Sequence, residues 1–235
     1  MFTKTLLLLA VLSTQSLAQN ISADEIIKNY VDALGGYEQL AKIKSLKMAG
    51  IYTYRGWDYP LTIIRLRPDF CHFEIDKGAK KEIFIFDGKA TQEIDAQTGK
   101  PVEIRDPRIR NFTEMLADFD GAVIDYKRKG HQVKLTGEEN VDGKPAHKLE
   151  VALKNGKTEF WFFDKSSHLL LKRTSKYGPG NRESVQMVYF MDYKAVDGVM
   201  LPHYIERNDN HYVNGYEIGE IEVNIDLNER DFTRR

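Results

Sequence analysis

Six histidines, one cysteine and several close pairs of acids are the residues of this 235-residue chain that could do chemistry. His72, His131, His147, His168, His203 and His211 are scattered, without the spacing that lets two imidazoles share a metal ion. His203 and His211 come nearest, around Asn208-Asp209-Asn210-His211. A two-residue turn at Asp209-Asn210 sets Asn208 opposite His211 and His203 opposite Tyr216, so the two rings do not meet. Glu138-Glu139 and Asp118 with Asp120 are acid pairs, but they fall on predicted turns and helix ends, where solvation accounts for a carboxylate. No Gly-x-Ser-x-Gly elbow, His-Glu-x-x-His helix or phosphate-cradling glycine loop occurs. Cys71 sits in Phe70-Cys71-His72-Phe73, an aromatic setting that suits a buried structural thiol, and the chain offers it no disulfide partner. These residues predict a protein that is not an enzyme and holds no metal or cofactor.

The elements that would position any site are mostly strands. Ser22 caps a first helix with Glu25 three residues on, Ile26, Ile27, Tyr30, Val31 and Leu34 make its apolar stripe, and Gly35-Gly36 ends it. A short helical piece from Tyr37 to Ile43 follows, turning Leu40 and Ile43 inward. Period-two segments then run to the end: Leu46–Tyr54, Tyr59–Arg67, Phe70–Asp76, Lys81–Phe86 and Ala90–Asp95 first. A helix containing Phe112, Met115, Leu116 and Phe119 interrupts them, with Asp106 as cap and Pro107 at its first position. The second series is His131–Glu138, Ala146–Leu153, Lys157–Phe163, Leu169–Ser175, Ser184–Tyr193, Leu201–Arg207 and Tyr212–Ile225. Asp87-Gly88, Thr98-Gly99, Asp142-Gly143, Asn155-Gly156, Asp164-Lys165, Gly178-Pro179-Gly180 and Asp197-Gly198 supply turns. Such a meander predicts a mainly β (α+β) fold, one antiparallel sheet that curls into an open or partly closed barrel.

Two departures from simple alternation bear on function. Tyr216 and Ile218 share one parity and Ile221, Val223 and Ile225 the other, which predicts a β-bulge at Gly219. Ile83–Phe86, Phe160–Phe163 and Met187–Met191 are apolar on both parities. Both faces of those strands must meet apolar matter, whether helices, a partner or a ligand, which makes Trp161 and Phe163 candidate binding residues.

The N-terminus predicts export. Lys4, the apolar run Leu6–Leu12 and the small residues of Ser16-Leu17-Ala18 form a cleavable signal peptide over residues 1–18. No cysteine stands at that junction for lipid attachment, so the expected product, residues 19–235 as one domain, is not membrane-anchored. With 42% hydrophobic residues, 29% charged residues and a net charge of −1, the composition is that of a packed globular protein. Its dispersed Lys and Arg argue against a nucleic-acid partner.

Arg67-Pro68-Asp69-Phe70-Cys71-His72-Phe73-Glu74, then Ile83–Phe86 and Asp87-Gly88-Lys89, resembles the early pattern of LolA/LolB-type lipoprotein carriers. The closing Ile221–Asp226 with Phe232, and the opening Tyr30–Gly36 through Ile43–Leu46, resemble the same superfamily. The resemblance implies an unclosed β-barrel with helices across its opening, and non-enzymatic transport of lipid or lipoprotein acyl chains in the periplasm of a Gram-negative bacterium. Envelope proteins that load or unload cargo would be its partners. It also implies that Arg67 points inward and hydrogen-bonds the lid backbone. Leu61, Ile63 and Arg65 share the parity of Arg67, and Cys71, Phe73 and Ile75 continue that side, so these line the implied cavity. The alternative within this fold is an RseB-like envelope-sensing or protein-interaction module.

Overall fold

The structure is a computed structural model that describes residues 21–104, 106–177, 184–209 and 212–232. The predicted leader, the turn at Gly178-Pro179-Gly180 and His211 lie outside them. Two helices open the described chain, α1 (Ala23–Ala33) and α2 (Tyr37–Lys42). The Ser22 hydroxyl accepts from the Glu25 N–H at 3.1 Å, and Gly35, at φ +114°, turns the chain out of α1. Six strands follow: β1 (Ser45–Tyr54), β2 (Trp57–Leu66), β3 (Phe70–Asp76), β4 (Lys81–Asp87), β5 (Thr91–Ile94) and β6 (Pro101–Glu103). After α3 (Pro107–Ala117) come β7 (Gln132–Val141), β8 (Lys144–Ala152), β9 (Thr158–Asp164), β10 (Leu170–Tyr177), β11 (Ser184–Val196), β12 (Val199–Asn208) and β13 (Val213–Val223). The predicted cap holds, since Asp106 accepts from the Arg108 N–H at 2.8 Å and Pro107 fills the first turn.

Among the described residues these thirteen strands form one antiparallel sheet in the order β6-β5-β4-β3-β2-β1-β13-β12-β11-β10-β9-β8-β7. The first strand therefore pairs with the last, while β6 and β7 stand at opposite edges and the barrel stays unclosed. The chain between those edges must cross the barrel, and it carries α3 and residues 118–131 as it does so. The bulge falls at Gly219, where Ala49 faces Glu220 and Gly50 faces Ile218. It keeps Tyr216 and Ile218 buried on the inner side of β13.

The doubly apolar strands are explained by packing on both sides of the sheet. Phe84, Trp161, Phe163, Val188 and Phe190 join α1 and α3 in the inner core. On the outer side, Ile83 and Ile85 pack with Leu227 and Phe232 of the C-terminal tail. Phe160 and Phe162 form an outer cluster with Val141, Ala146 and Leu171, and the Lys172 ammonium lies 4.1 Å from the Phe162 ring centre.

Three expectations are corrected. The short edge strand β6 was not foreseen, because a three-residue strand beginning with Pro101 has no alternation to read. The β12–β13 hairpin does not turn at Asp209-Asn210: the Asp209 N–H donates to the Tyr212 carbonyl at 3.3 Å, and its carboxylate accepts from the Tyr212 N–H at 3.2 Å. Asn208 thus faces Val213 and Ile205 faces Tyr216, so the register differs by two residues from the predicted one. The acid pairs are not simply solvated, since Asp118 binds Lys129, Asp120 binds Arg67, and Glu139 binds Lys148 and Lys172.

A methyl group on Gly50 would lie 1.8 Å from the Glu217 carbonyl oxygen across the β1–β13 ladder. Gly50→Ala should therefore lower stability by about 3 kcal/mol, the upper range for overpacking. Urea unfolding followed by circular dichroism checks this, and an unchanged midpoint would contradict the close approach.

Candidate functional site

The strongest concentration of polar interactions inside the barrel is where β2 ends. Arg65 lies near the end of β2 and Arg67 is the first residue past it, and both turn to the side that their shared parity predicts. Arg65 donates from its terminal nitrogen to the carbonyls of Asp118 at 3.1 Å and Phe119 at 2.9 Å. Arg67 donates through Nε to the Ile43 carbonyl at 2.6 Å and through a terminal nitrogen to the Leu40 carbonyl at 2.9 Å. Its other terminal nitrogen pairs with the Asp120 carboxylate. Both guanidinium carbons also lie over the Phe119 ring, at 4.7 and 4.3 Å from its centre. Two arginines at the end of β2 thus tie the crossing segment and the C-terminal end of α2 to the sheet. Burial pulls the Arg65 guanidinium below its ordinary value, against the opposite pull of Asp118 and Asp120. It remains a cation, because an arginine does not lose its proton in a protein.

Beneath these covers lies a cavity of about 140 Å³. α1 contributes Tyr30 and Leu34 to its wall, α3 contributes Met115 and Leu116, and the strands contribute Met48, Trp161, Leu170, Phe190 and Ile205. The lining is mostly apolar, with Arg65, Arg67 and Arg173 as the cations in its wall. Arg173 lies 4.2 Å from the Trp161 ring centre and donates to Glu159 at 2.7 Å, and Glu159 also accepts from the Trp161 indole at 2.8 Å. Gly121, at φ +72°, brings the crossing segment onto the Trp161 ring, where a Cβ would stand at 3.0 Å.

Of the residues nominated from sequence, Arg65, Arg67 and Trp161 line this cavity. Leu61, Ile63, Cys71, Phe73 and Ile75 face the same side of the sheet but belong to the packed core with Phe84 and Phe112. Phe73 lies 5.8 Å from Phe112, and Phe112 stacks on Tyr216 at 4.8 Å, so aromatic rings fill that part of the interior. Phe163 contacts Tyr30 of α1 at 4.9 Å between ring centres, outside the cavity lining. Sequence reasoning missed Phe119, Asp120 and Arg173. The signal for the first two was an acid–aromatic–acid run, Asp118-Phe119-Asp120, directly after an amphipathic helix.

Among the described residues, no helix is long and apolar enough to cross a membrane, and no three His, Cys, Asp or Glu side chains group to hold a metal ion. No protein-family model and no curated protein match the sequence. Solved structures do match the fold. A LolA superfamily protein from Nitrosomonas europaea is 14% identical, with 91% of this chain and 98% of that one covered at a TM-score of 0.62. A DUF1329 family protein from Desulfovibrio piger is also 14% identical, over 89% of this chain and 96% of that one, with a TM-score of 0.62. A domain described as an outer membrane lipoprotein-sorting protein, from Vibrio parahaemolyticus, is 12% identical over 88% and 94%, with a TM-score of 0.52. The chain therefore has the unclosed-barrel fold of the LolA superfamily protein.

Cys71 is fully buried, and burial pushes its thiol up to about 12. The folded protein should leave 5,5′-dithiobis(2-nitrobenzoate) unreacted at pH 8, and guanidinium should release its single thiol. Rapid reaction of the native protein would contradict this burial.

Proposed function

We propose that this protein is a non-enzymatic periplasmic carrier that takes an acyl chain of a lipid or lipoprotein into the cavity under α1, α2 and the crossing segment. The observation that carries this reading is an apolar cavity on an unclosed barrel, covered by segments that two arginines at the end of β2 hold through polar contacts. Enclosure and release are what such an arrangement can do chemically. The fold it shares with a lipoprotein-sorting domain supports the same reading.

The energetics set how the cover must behave. At about 140 Å³ the cavity is smaller than the roughly 300–1,000 Å³ of sites that enclose drug-sized ligands. Uptake of an acyl chain therefore requires the cover to move outward. α2 is the element built to do so, because none of its residues is fully buried and it begins at Gly36, where φ is +86° and a Cβ would meet nothing within 4 Å. Its preceding residue Gly35 is pinned instead, since a Cβ there would lie 2.2 Å from the Gly198 carbonyl oxygen. Gly36 is thus the pivot and Arg67 the latch.

Each CH₂ taken from water contributes about 0.8 kcal/mol, whereas a hydrogen bond to a charged group contributes about 1.5–3 kcal/mol. Burying a few CH₂ groups offsets each latch bond, and the latch bonds re-form once the chain leaves. Carrying and letting go can then both occur without a chemical step.

Native mass spectrometry and organic extraction of protein purified from a Gram-negative host should reveal bound acyl lipid. A pyrene-labelled fatty acid should bind the delipidated protein, and Leu201→Trp, which fills the cavity wall, should weaken it about tenfold, or ~1.4 kcal/mol. Arg67→Met should instead accelerate uptake about tenfold by loosening the closed form. A protein that carries no lipid and refuses the probe would overturn the reading.

A further inference from the structure

Arg207 lies away from that cavity, on β12 opposite Asn214 of β13. Its side chain is 5% exposed, yet Nε and one terminal nitrogen are buried without a hydrogen-bond partner among the described residues. Its guanidinium lies over the Phe112 ring, 5.0 Å from the centre. The nearby carboxylates are engaged elsewhere. Asp106 accepts from the Arg108 backbone at 2.8 Å and from its guanidinium at 2.6 Å, while Asp209 accepts from the Tyr212 N–H at 3.2 Å and stands 4.0 Å from Arg108. A buried cation with unmade hydrogen bonds is costly, and a fold keeps one where something else completes it.

Arg207 borders a second cavity, of about 190 Å³, together with Arg108, Ile109, Lys77 and the tyrosines 52 and 54. Arg108 and Ile109 belong to the first turn of α3, whose dipole adds positive potential there. Three cations and two carboxylates line the space, and the Lys77 ammonium is paired with Glu82 at 2.8 Å.

We propose that this cavity binds one oxyanion, a carboxylate or phosphate group, received by Arg207 with help from Arg108 and the first turn of α3. Water would satisfy the free N–H groups. Asp106 and Asp209 share the space but hydrogen-bond neither Nε nor the free terminal nitrogen of Arg207, whereas an oxyanion supplies acceptors to two N–H groups at a time. Phe112, Tyr216 and Phe73 fill the interior between this site and the apolar cavity, so the two sites stand or fall separately.

Isothermal titration of the full chain tests this, with sodium phosphate, sodium acetate and a soluble short-chain phosphatidic acid at fixed ionic strength. The wild type should bind at least one of them, and Arg207→Met should weaken that binding at least ~10-fold. Its thermal midpoint should stay at or above the wild-type value, because buried donors without partners have been removed. Phosphatidic acid binding more tightly than inorganic phosphate marks a lipid headgroup, and equal affinities mark a free oxyanion. Should Arg207→Met not fold, Arg108→Ala gives the second readout, with an expected loss of ~3-fold or more. Wild-type protein that binds none of the three, or variants that bind as well as wild type, would overturn the proposal.

Discussion

Because β1 pairs with β13, every other strand lies on a continuous path from the middle of the sheet outward, and the two edges, β6 and β7, stand at opposite ends of the sheet although they follow one another in sequence. That pairing demands a close backbone approach, which Gly50 permits against the Glu217 carbonyl and the Gly219 bulge keeps in register. Once it is made, the connection from β6 to β7 has to cross the barrel. The inner face of the sheet is apolar, so whatever crosses it must bury an apolar face of its own, and α3 does so with Phe112, Leu116 and Ala117. The cover over the barrel is thus a consequence of strand order before it is a functional device.

Covering the inner face leaves an imbalance between its two halves. On the side of Phe73, aromatic rings meet ring to ring and leave no room, whereas toward Trp161 and Phe190 the walls stand apart. The cover over the open half is held mainly through polar groups: Arg65 to two carbonyls, Arg67 to two more and to Asp120. Polar contacts suit a cover that moves, because water can replace them when they break. Apolar packing offers no such substitute, and the buried Val123 at 0% exposure marks a part of the crossing segment that should stay in place.

Most of this fold was legible in the residues. Strand positions followed from period-two alternation, the caps from Ser22 and Asp106, and the bulge from the parity change around Gly219. What alternation cannot state is how far apart two facing walls stand. Leu61, Ile63 and Phe73 were placed on the correct face, yet parity gives no means to tell a packed ring from a cavity lining. The latch was half legible for a similar reason. Arg65 and Arg67 are local features of the end of β2, but their partners come from residues 24 to 54 positions away in sequence. The β12–β13 register failed on a local detail, since Asp209, read as a turn residue, bonds Tyr212 across the hairpin and moves the pairing two residues along.

Arg65, Arg67 and Arg207 differ in how far the protein itself completes them. Arg67 donates to two of the chain's own carbonyls and pairs with Asp120, and Arg65, whose Nε is left without a partner, donates to two more, so both hold the cover. Arg207 is more deeply buried and rests on Phe112, yet leaves donors unmade while both neighbouring carboxylates are engaged by other groups. An arginine without a partner at a protein surface means little, because water completes it. At 5% exposure beside a cavity that also holds a helix start and Arg108, the same feature leaves two donors aimed at an acceptor that the described residues do not supply.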